Sequence, residues 1–520
     1  MERTACILVD SGEKVDVDDL LEDDEYLTAI LLTHAHADHY QTLASNLRDA
    51  APIFTSNGTA DVLETVLSDA ERHCDTIGDT DAVLEAIEPI DCWESPIEGV
   101  RVIPVPAGHA PGATGFAIQF DGGSGMETVL ATGDWTTQRF AGFSGFDSSL
   151  PLDVGAIFLT GATSDCYTDS LTDSVAAICK RVYAGSPVVT SASGLNGIKY
   201  AYLLGHFGQR FDHPSEVKIV GQMANLYEDL EYTVPNVEAI PNFDDPEDVL
   251  APETVTIAGP EAPTEGSSGQ LFGAIKNDAT ATLVQLHGGG QISTDSATCT
   301  TYDFELVPHP TETEIDAMVE GFDPMQVVVT HQRPKKGDRF KQRYRSFVWS
   351  NGTSDEYTLY EAGDWQAPPW MSAEAVQLAH RTDGSGESQH SGDSVVESNH
   401  DEKRVLPSCR REATTVDLAA EGLDLPALEE QLHVSVSENI NTEEQSGQEG
   451  SSEDDDEPKP DECTGKPTEQ AVSDESDEIR KTQESAQPSS QDIESILSRL
   501  DSIEEQLQGS TVPAKVVALV

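Results

Sequence analysis

The chain has 520 residues, of which 94 are acidic and 30 basic, giving a formal net charge of −64. Residues 1–366 alone hold 59 acidic and 19 basic residues, so a tail does not account for the charge. Because molar salt reduces the Debye length to about 3 Å and screens repulsion within such a surface, the composition predicts a cytoplasmic protein of a halophile. A mesophilic protein with an acidic interaction surface is the alternative.

Cysteine usage and hydropathy argue against several classes of protein. The eight cysteines are scattered and form no Cys-x-x-Cys pair, which disfavours a disulfide framework and a cysteine zinc knuckle. The N-terminus has no basic-then-apolar signal region, and no segment approaches the roughly 18 apolar residues of a membrane span. We therefore expect neither secretion nor an association with membrane.

Short apolar runs rich in Val, Ile and Thr recur in the first part of the chain and are typical of strands buried on both faces. These predicted strands lie at residues 7–12, 29–33, 102–105, 128–132, 156–159, 188–190, 217–220, 255–257 and 327–330. Helix-like stretches, such as 60–72 and 173–183, lie between many of them. Alternating strands and helices predict an α/β protein.

The composition changes after residue 370. Residues 371–489 are rich in Ser, Glu, Asp, Gln and Gly and poor in aromatic residues, which predicts a disordered acidic tail. Within 490–508, apolar residues recur at alternating spacings of three and four, which predicts a short heptad helix for self-association or partner docking. An isolated, partly frayed helix is the alternative. Residues 509–520 form a terminal tail.

The run His34-Ala35-His36-Ala37-Asp38-His39 directly follows a predicted strand. In extended chain, residues two apart point the same way, so His34 and His36 can converge on one ion. Asp38 and His39 lie where the sequence turns helical, up to about Leu47, and can face a second ion. Imidazole and carboxylate are ligands that suit zinc and similar divalent metals. A surface histidine cluster is the alternative, and it rarely has this spacing.

Later strand ends offer the remaining ligands. His109 follows one predicted strand, Asp134 follows another, and His331 follows the strand that ends at Thr330. Each residue alone is ambiguous, because a strand-end histidine is often structural and a Gly-Asp pair is usually a turn. Together with the first motif, they predict two neighbouring metal sites.

The order His-x-His-x-Asp-His, Gly-His-x-x-Gly, Gly-Asp and a distant histidine resembles the metallo-β-lactamase superfamily. The resemblance implies that His34, His36 and His109 hold one metal and that Asp38, His39 and His331 hold the other. Asp134 would bridge two Zn²⁺ ions, or other divalent metals, that share a hydroxide nucleophile. Asp38 would act both as a metal ligand and as a catalytic carboxylate.

Asp134 and His331 are 197 residues apart, too far for neighbouring strands of one compact sheet. This spacing resembles the β-CASP branch, in which a second α/β domain is inserted into an αββα sandwich. The expected domains are residues 1–164 for the first part of the sandwich, 165–301 for the insertion and 302–370 for the return segment.

The same resemblance bears on the leaving group and on the substrate. His309 resembles the branch's general acid, and a structural histidine at a strand end is the alternative. His331 is present in RNA-processing members and usually absent from the DNA nucleases of the Artemis type. Relatives carry a supporting carboxylate after the next strand, but residues 160–164 have none, so Asp165 is the candidate substitute.

A cluster of basic residues follows His331. Residues 333–345 hold seven of the 19 basic residues in the first 366, which predicts contacts with RNA phosphates. These residues are Arg333, Lys335, Lys336, Arg339, Lys341, Arg343 and Arg345. Phe340 and Tyr344 could stack on bases. A solvated loop that pairs with the protein's own carboxylates is the alternative.

The sequence thus predicts a zinc-dependent hydrolase that cleaves RNA phosphodiester bonds in RNA processing or decay. Two alternatives remain open. One is a hydrolase of the same fold that acts on a small thioester or lactone. The other is a non-catalytic metal-binding scaffold subunit of an RNA-processing complex.

Overall fold

The computed structural model describes residues 3–73, 78–123, 125–210, 214–289, 297–331, 338–341, 343–350, 356–371, 406–412, 415–433 and 514–518. The predicted strands and helices of the α/β core are all present within these ranges. They form three sheets and one small antiparallel hairpin, made of β18 (Tyr360–Glu361) and β19 (Asp364–Trp365).

The first sheet has five parallel strands in the order β20-β1-β2-β3-β4. The strands are β1 (Thr4–Val9), β2 (Glu25–Leu31), β3 (Ile53–Thr55), β4 (Ile87–Pro89) and β20 (Ala514–Ala518). Four helices belong to this half of the chain: α1 (Ala37–Tyr40), α2 (Leu43–Asn46), α3 (Asn57–His73) and α4 (Thr80–Ala86). The helix expected from His39 to Leu47 is therefore two short helices separated by a turn.

The second sheet has seven strands in the order β17-β16-β9-β8-β7-β6-β5. The strands are β5 (Glu94–Ile97), β6 (Val100–Pro106), β7 (Thr114–Asp121), β8 (Met126–Ala131), β9 (Ala156–Thr160), β16 (Gln326–Thr330) and β17 (Phe347–Ser350). Ile7 and Leu31 of the first sheet share one apolar cluster with Val102, Phe116 and Val129 of the second. The two sheets therefore pack face to face, and we call them the sandwich.

The third sheet lies in the insertion. Its six parallel strands have the order β12-β11-β13-β10-β14-β15. They are β10 (Val188–Ser191), β11 (Glu216–Val220), β12 (Val237–Ile240), β13 (Thr254–Ala258), β14 (Thr282–His287) and β15 (Thr300–Glu305). The accompanying helices are α5 (Tyr167–Tyr183), α6 (Gly194–Arg210), α7 (Gln222–Asp229) and α8 (Gly266–Ile275). We call residues 167–305 the inserted part.

The chain leaves the second sheet after β9 and returns to it at β16. These two strands are neighbours that pair in parallel, with Thr160 opposite Thr330. After β15, helix α9 (Glu312–Phe322) leads back to β16. The strand β15 belongs to the third sheet, so the expected boundary at residue 301 is about four residues early.

The prediction of disorder for residues 371–489 is wrong for residues 406–412 and 415–433. Helix α10 (Leu425–Leu432) lies in this segment, and Leu418, Leu423 and Leu428 are buried. The average composition of the whole tail does not reveal this short stretch, which has enough leucine to pack on the rest of the protein. The terminal tail contains β20, which pairs with β1. The predicted heptad helix at 490–508 lies outside the described residues.

Among the described residues, none of the helices is both long enough and apolar enough to cross a membrane.

Candidate metal centre

The predicted ligands lie together where strands of both sheets end. His34 and His36 follow β2, and α1 carries Asp38 and His39. In the second sheet, His109 follows β6, Asp134 follows β8 and His331 follows β16. The two edges are tied together by the backbone hydrogen bond from Thr114 N–H to Thr33 O, 3.0 Å long. The sandwich thus gathers residues that are distant in sequence at one edge.

His34, His36 and His109 form the first triad. The Nδ1 atom of His36 lies 3.0 Å from Nε2 of His34 and 3.0 Å from Nε2 of His109. Each of the three side chains offers a nitrogen, and among the described residues this group is one of four His/Asp sets close enough to share a metal ion.

The tautomers of two of these histidines follow from their other ring nitrogens. His109 Nδ1 lies 2.9 Å from Pro308 O, which can only accept, so the proton is on Nδ1. The Thr33 hydroxyl donates to Asp10 at 2.9 Å and therefore accepts from His34 Nδ1, also at 2.9 Å. The Nε2 atoms of both rings are left with lone pairs that point toward His36.

This arrangement fits a cation. Burial holds the pKa values of His34 and His109 well below the usual range and lowers the pKa of His36 to about 4, so the rings are neutral. A single proton on His36 Nδ1 could satisfy only one of the two facing lone pairs. Three neutral imidazoles with converging lone pairs form a donor set that zinc and similar divalent metals favour.

Asp38, His39 and His331 form the second triad. Asp38 Oδ2 lies 4.0 Å from His39 Nε2 and 3.8 Å from His331 Nε2. The ring of His331 stacks on that of His39 with centroids 5.6 Å apart. The side chains of Asp38 and His331 are 56% and 29% exposed, and only His39 of this triad is buried. In the first triad, His34 and His109 are buried and His36 is half-buried, so the second triad is the more open to solvent.

His39 is oriented by Asp10, a residue that the sequence analysis did not single out. His39 Nδ1 donates to Asp10 Oδ2 at 2.8 Å, and Asp10 Oδ1 also accepts the backbone N–H of Thr33 at 2.8 Å. Burial lowers the pKa of His39, but the charge and hydrogen bond of Asp10 outweigh it and raise this pKa to about 9. His39 Nε2 is buried and has no hydrogen-bond partner among the described residues, which is the state expected of a metal ligand.

Asp134 lies between the two triads. Its Oδ2 is 3.7 Å from His109 Nε2 and 3.8 Å from His39 Nε2, and its Oδ1 is 3.9 Å from His331 Nδ1. Burial would raise the pKa of Asp134, but the hydrogen bond from His309 and the neighbouring His109 and His39 hold it well below its usual range. The carboxylate is therefore charged, and it lies within reach of a cation held by either triad.

Thr160, the last residue of β9, fixes this carboxylate. Its hydroxyl lies 3.0 Å from Asp134 Oδ1 and 2.7 Å from Gly133 O. In the sequence, Thr160 only begins a stretch that lacks the expected carboxylate. In the structure, its hydroxyl orients Asp134, which follows the neighbouring strand β8.

His309 lies in the loop between β15 and α9. Its Nε2 is 3.2 Å from Asp134 Oδ2, and its ring stacks on that of His109 with centroids 5.1 Å apart. Because Asp134 is charged, His309 Nε2 is the donor. The preceding residue, Pro308, supplies the carbonyl that orients His109, so one loop at the end of the inserted part contacts both sides of the site.

Asp165 does not take the role expected of it. The loop does return toward His309, since Ser164 N–H bonds to Pro310 O at 3.1 Å. The side chain of Asp165 is exposed, however, and in the described part of the chain no hydrogen bond joins it to His309. The carboxylate that contacts His309 is Asp134.

The basic cluster is partly engaged with the protein's own acids. Arg339 and Arg343 lie 2.9 Å and 3.0 Å from Glu312, and Arg343 also lies 2.6 Å from Asp316. Tyr344 donates to Asp316 at 2.6 Å, and Phe340 is fully buried, so the expectation that Phe340 stacks on a base is wrong. Lys341 and Arg345 are exposed, whereas Arg333, Lys335 and Lys336 lie outside the described residues.

Part of this chain is similar to known proteins. Residues 7–144 match the family model for the "Beta-lactamase superfamily domain". The DNA cross-link repair 1A protein of Mus musculus is 31% identical over 111 residues, which cover 21% of this chain and 9% of that protein. The chain thus spans less than a tenth of the length of this curated relative.

Two solved structures are more distant. A protein of unknown function from Enterococcus faecalis aligns with a TM-score of 0.44 and 15% identity, covering 65% of this chain and 82% of that one. Zinc-bound PqqB from Methylobacterium extorquens aligns with a TM-score of 0.19 and 13% identity, covering 29% and 55%.

The His/Asp sets of the described residues could each hold a metal ion. More particularly, residues 7–144, which carry His34, His36, Asp38, His39, His109 and Asp134, are similar to the β-lactamase superfamily.

Proposed function

We propose that the protein is a zinc-dependent metallo-hydrolase of the β-CASP type that hydrolyses RNA phosphodiester bonds. The observation that carries the proposal is the loop at residues 307–310. This loop comes from the end of the inserted part, and it holds His309 Nε2 at 3.2 Å from Asp134 and the Pro308 carbonyl at 2.9 Å from His109. The loop that follows the inserted part therefore adds a proton-carrying side chain beside the two triads.

When bound, two divalent metals would supply Lewis acidity and lower the pKa of a bound water to about 7. His34, His36 and His109 would hold one metal, Asp38, His39 and His331 the other, and Asp134 would bridge them. The chain's own contribution is to keep these ligands ready: Thr33, Asp10 and Pro308 each hold a ring proton away from the shared centre.

His309 is the proton donor to the leaving group in this proposal. The charged Asp134 keeps a proton on His309 Nε2, at the edge of the donor cluster. Cleavage of a phosphodiester expels an alkoxide, a strong base that needs a proton, whereas a thioester expels a thiolate, which leaves without one. A dedicated donor beside the site therefore favours a phosphodiester over a thioester.

Two features support RNA as the substrate. His331 completes the exposed triad, as it does in the RNA-processing members that the sequence resembles, and exposed Lys341 and Arg345 lie shortly after it. A specific observation favours DNA as the second candidate, because the matched curated relative is a DNA cross-link repair protein. The acidic composition supports a setting of high salt, so the assay is done in multimolar KCl.

The test compares 5′-labelled RNA, DNA of the same sequence and a thioester, each incubated with purified protein of measured metal content. We expect RNA cleavage by the wild type and a loss of at least about 100-fold in His309→Ala. His206→Ala is the matched control, because His206 is a partly buried histidine of α6 that contacts Tyr202 away from the site.

The other outcomes each contradict part of the proposal. Cleavage of DNA alone would make the protein a deoxyribonuclease, and turnover of the thioester alone would make it a small-substrate hydrolase. A protein with full metal content that hydrolyses none of the three would be the scaffold subunit. Equal activity of His309→Ala and wild type would remove the proton-donor role.

A further inference from the structure

A second buried polar cluster surrounds Glu421, in the segment that was expected to be disordered. Glu421 is fully buried, and its two carboxylate oxygens accept the backbone N–H groups of Ala141 at 2.7 Å and of Gly142 at 2.8 Å. Two charge-assisted hydrogen bonds to one carboxylate compensate part of the cost of burying it. We call residues 406–412 and 415–433 the C-terminal strap.

The turn that receives Glu421 has the geometry of an anion site. Ala141 and Gly142 are consecutive residues with φ values of 49° and 92°. Backbone in such a turn directs successive N–H groups toward one point, and this concavity binds anions in many proteins. Ala141 adopts a left-handed conformation, which costs free energy in a residue other than glycine.

Lys199 of α6 adds a positive charge to this turn. The side chain is buried, donates to Arg139 O at 3.0 Å and lies 4.9 Å from the ring centroid of Phe140. Burial lowers the pKa of Lys199 to about 8, and the charge of Glu421 opposes this shift. Burial likewise raises the pKa of Glu421, and Lys199 and the two N–H groups oppose that shift. We call the two N–H groups and Lys199 the cradle.

The strap also contacts the sandwich around the cradle. Ala420 O accepts the N–H of Arg139 at 2.8 Å, and the Glu412 side chain lies 2.8 Å from the Arg139 guanidinium. Glu412 N–H donates to Gly142 O at 3.0 Å. The loop that carries these groups begins directly after Asp134, the central carboxylate of the metal centre.

The same strap contacts the inserted part. Arg411 donates to the carbonyls of Leu230 and Glu231 at 3.3 Å and 3.1 Å and lies 4.2 Å from the ring centroid of Tyr232. Asp424 N–H donates to the Thr172 hydroxyl at 3.0 Å. The inserted part also touches the cradle directly, because Tyr232 donates to Ala141 O at 2.6 Å.

We propose that the cradle is a carboxylate-binding site whose ligand is Glu421, and that through it the C-terminal strap fixes the inserted part against the sandwich. The metal centre draws residues from both bodies: Asp134 follows a sandwich strand, and His309 follows the last strand of the inserted part. A strap that holds the two bodies together thus positions His309 relative to Asp134. This inference does not depend on which substrate the protein hydrolyses.

Glu421→Ala tests the cradle by chemical rescue. The variant leaves the two buried N–H groups of Ala141 and Gly142 without their acceptor, so a small carboxylate should take the empty place. We measure thermal unfolding of the full chain with sodium formate replacing chloride at constant ionic strength. Formate should raise the midpoint of Glu421→Ala with a saturating dependence and leave the wild type unchanged. Glu430→Ala, which removes an exposed carboxylate of the same strap, is the matched control and should behave as the wild type.

Hydrogen exchange measured by mass spectrometry tests the strap. Glu421→Ala should exchange at least about tenfold faster in both 139–145 and 228–234, and saturating formate should restore protection in 139–145. Faster exchange confined to residues 406–433 would overturn the claim that the strap joins the two bodies. A formate response equal in wild type and variant would overturn the carboxylate site. If the alanine variant does not fold, Glu421→Gln carries the exchange test without formate, because its N–H₂ group meets one of the two N–H donors and should still raise exchange in both 139–145 and 228–234.

Discussion

The metal centre and the cradle are both buried clusters of charged and polar groups, and they differ in how their charges are balanced. In the cradle, the Glu421 carboxylate accepts two backbone N–H groups and Lys199 donates to Arg139 O, so each of these groups has a hydrogen-bond partner within the chain. In the metal centre, lone pairs of His34 and His109 face His36, and His39 Nε2 has no hydrogen-bond partner among the described residues.

This difference indicates what each cluster is for. A buried polar group without a partner costs free energy, so a fold retains a set of them where a ligand completes the set. The hydrogen bonds of the cradle can stabilise the fold by themselves, whereas a cation would complete the metal centre. Changes to the metal centre should therefore affect hydrolysis and the stabilisation that metal gives. Changes to the cradle should affect the free energy of unfolding whether or not metal is bound.

The largest effect is expected for Asp134→Ala, since this carboxylate lies between both triads. Hydrolysis of the substrate that the wild type cleaves should fall at least about 1000-fold, and bound metal measured by mass spectrometry should fall with it. Asp165→Ala should stay within about threefold of the wild type, because Asp165 is exposed and does not contact His309. An equal loss in the two variants would contradict the geometry of the site.

Removal of the metal should destabilise the protein through the metal centre alone. With free metal at about 100 times its dissociation constant, a chelator should lower the free energy of unfolding by about 2.7 kcal/mol for each site that holds a metal. Denaturant titrations with and without chelator measure this difference. It should disappear in Asp134→Ala and persist in Lys199→Met. Loss of the chelator effect in Lys199→Met would show that the two clusters are not separate.

Lys199 should make the free energy of unfolding depend on pH. Because burial lowers the pKa of Lys199 from 10.5 to about 8, the unfolded chain binds a proton that the folded protein lacks between these values. The free energy of unfolding of the wild type should therefore rise relative to that of Lys199→Met, by about 2 kcal/mol between pH 8 and pH 10. Below pH 8 the difference should be constant. Urea titrations of both proteins across this range measure it, and parallel curves throughout would refute the buried, partly neutralised lysine.

The smallest effect is expected for Asp10→Asn, which keeps the shape of Asp10 but removes its charge. Asp10 accepts the Nδ1 proton of His39, so the amide should weaken metal binding at Asp38, His39 and His331 by about tenfold. Competition with a chelator of known affinity measures each site. Metal binding by the first triad should weaken less, because Asp10 reaches His34 only through the Thr33 hydroxyl. Asp18→Asn, at an exposed ion pair with Arg48, is the control. Equal weakening at both sites would mean that Asp10 does not act mainly through His39.

The sequence by itself predicted much of the fold and the residues of the candidate site. The apolar runs gave the strands, and the polar residues at their ends gave His34, His36, Asp38, His39, His109, Asp134, His309 and His331. Both are local properties, because a residue that follows a buried strand lies at the edge of its sheet wherever that strand is placed. The spacing of Asp134 and His331 likewise indicated an insertion from chain length alone.

The tertiary structure decided which groups support the site and which surfaces are occupied. Asp10 reaches His39 because β1 pairs with β2, and Thr160 reaches Asp134 because β9 pairs with β8. Arg339 and Arg343 pair with Glu312 because helix α9 packs beside them, which no count of basic residues reveals. The average composition of residues 371–489 predicts disorder and does not reveal the C-terminal strap. A few leucines and one buried Glu421 suffice to hold this segment in place. Partners of this kind are fixed by contacts between residues far apart in sequence, and only the folded chain brings them together.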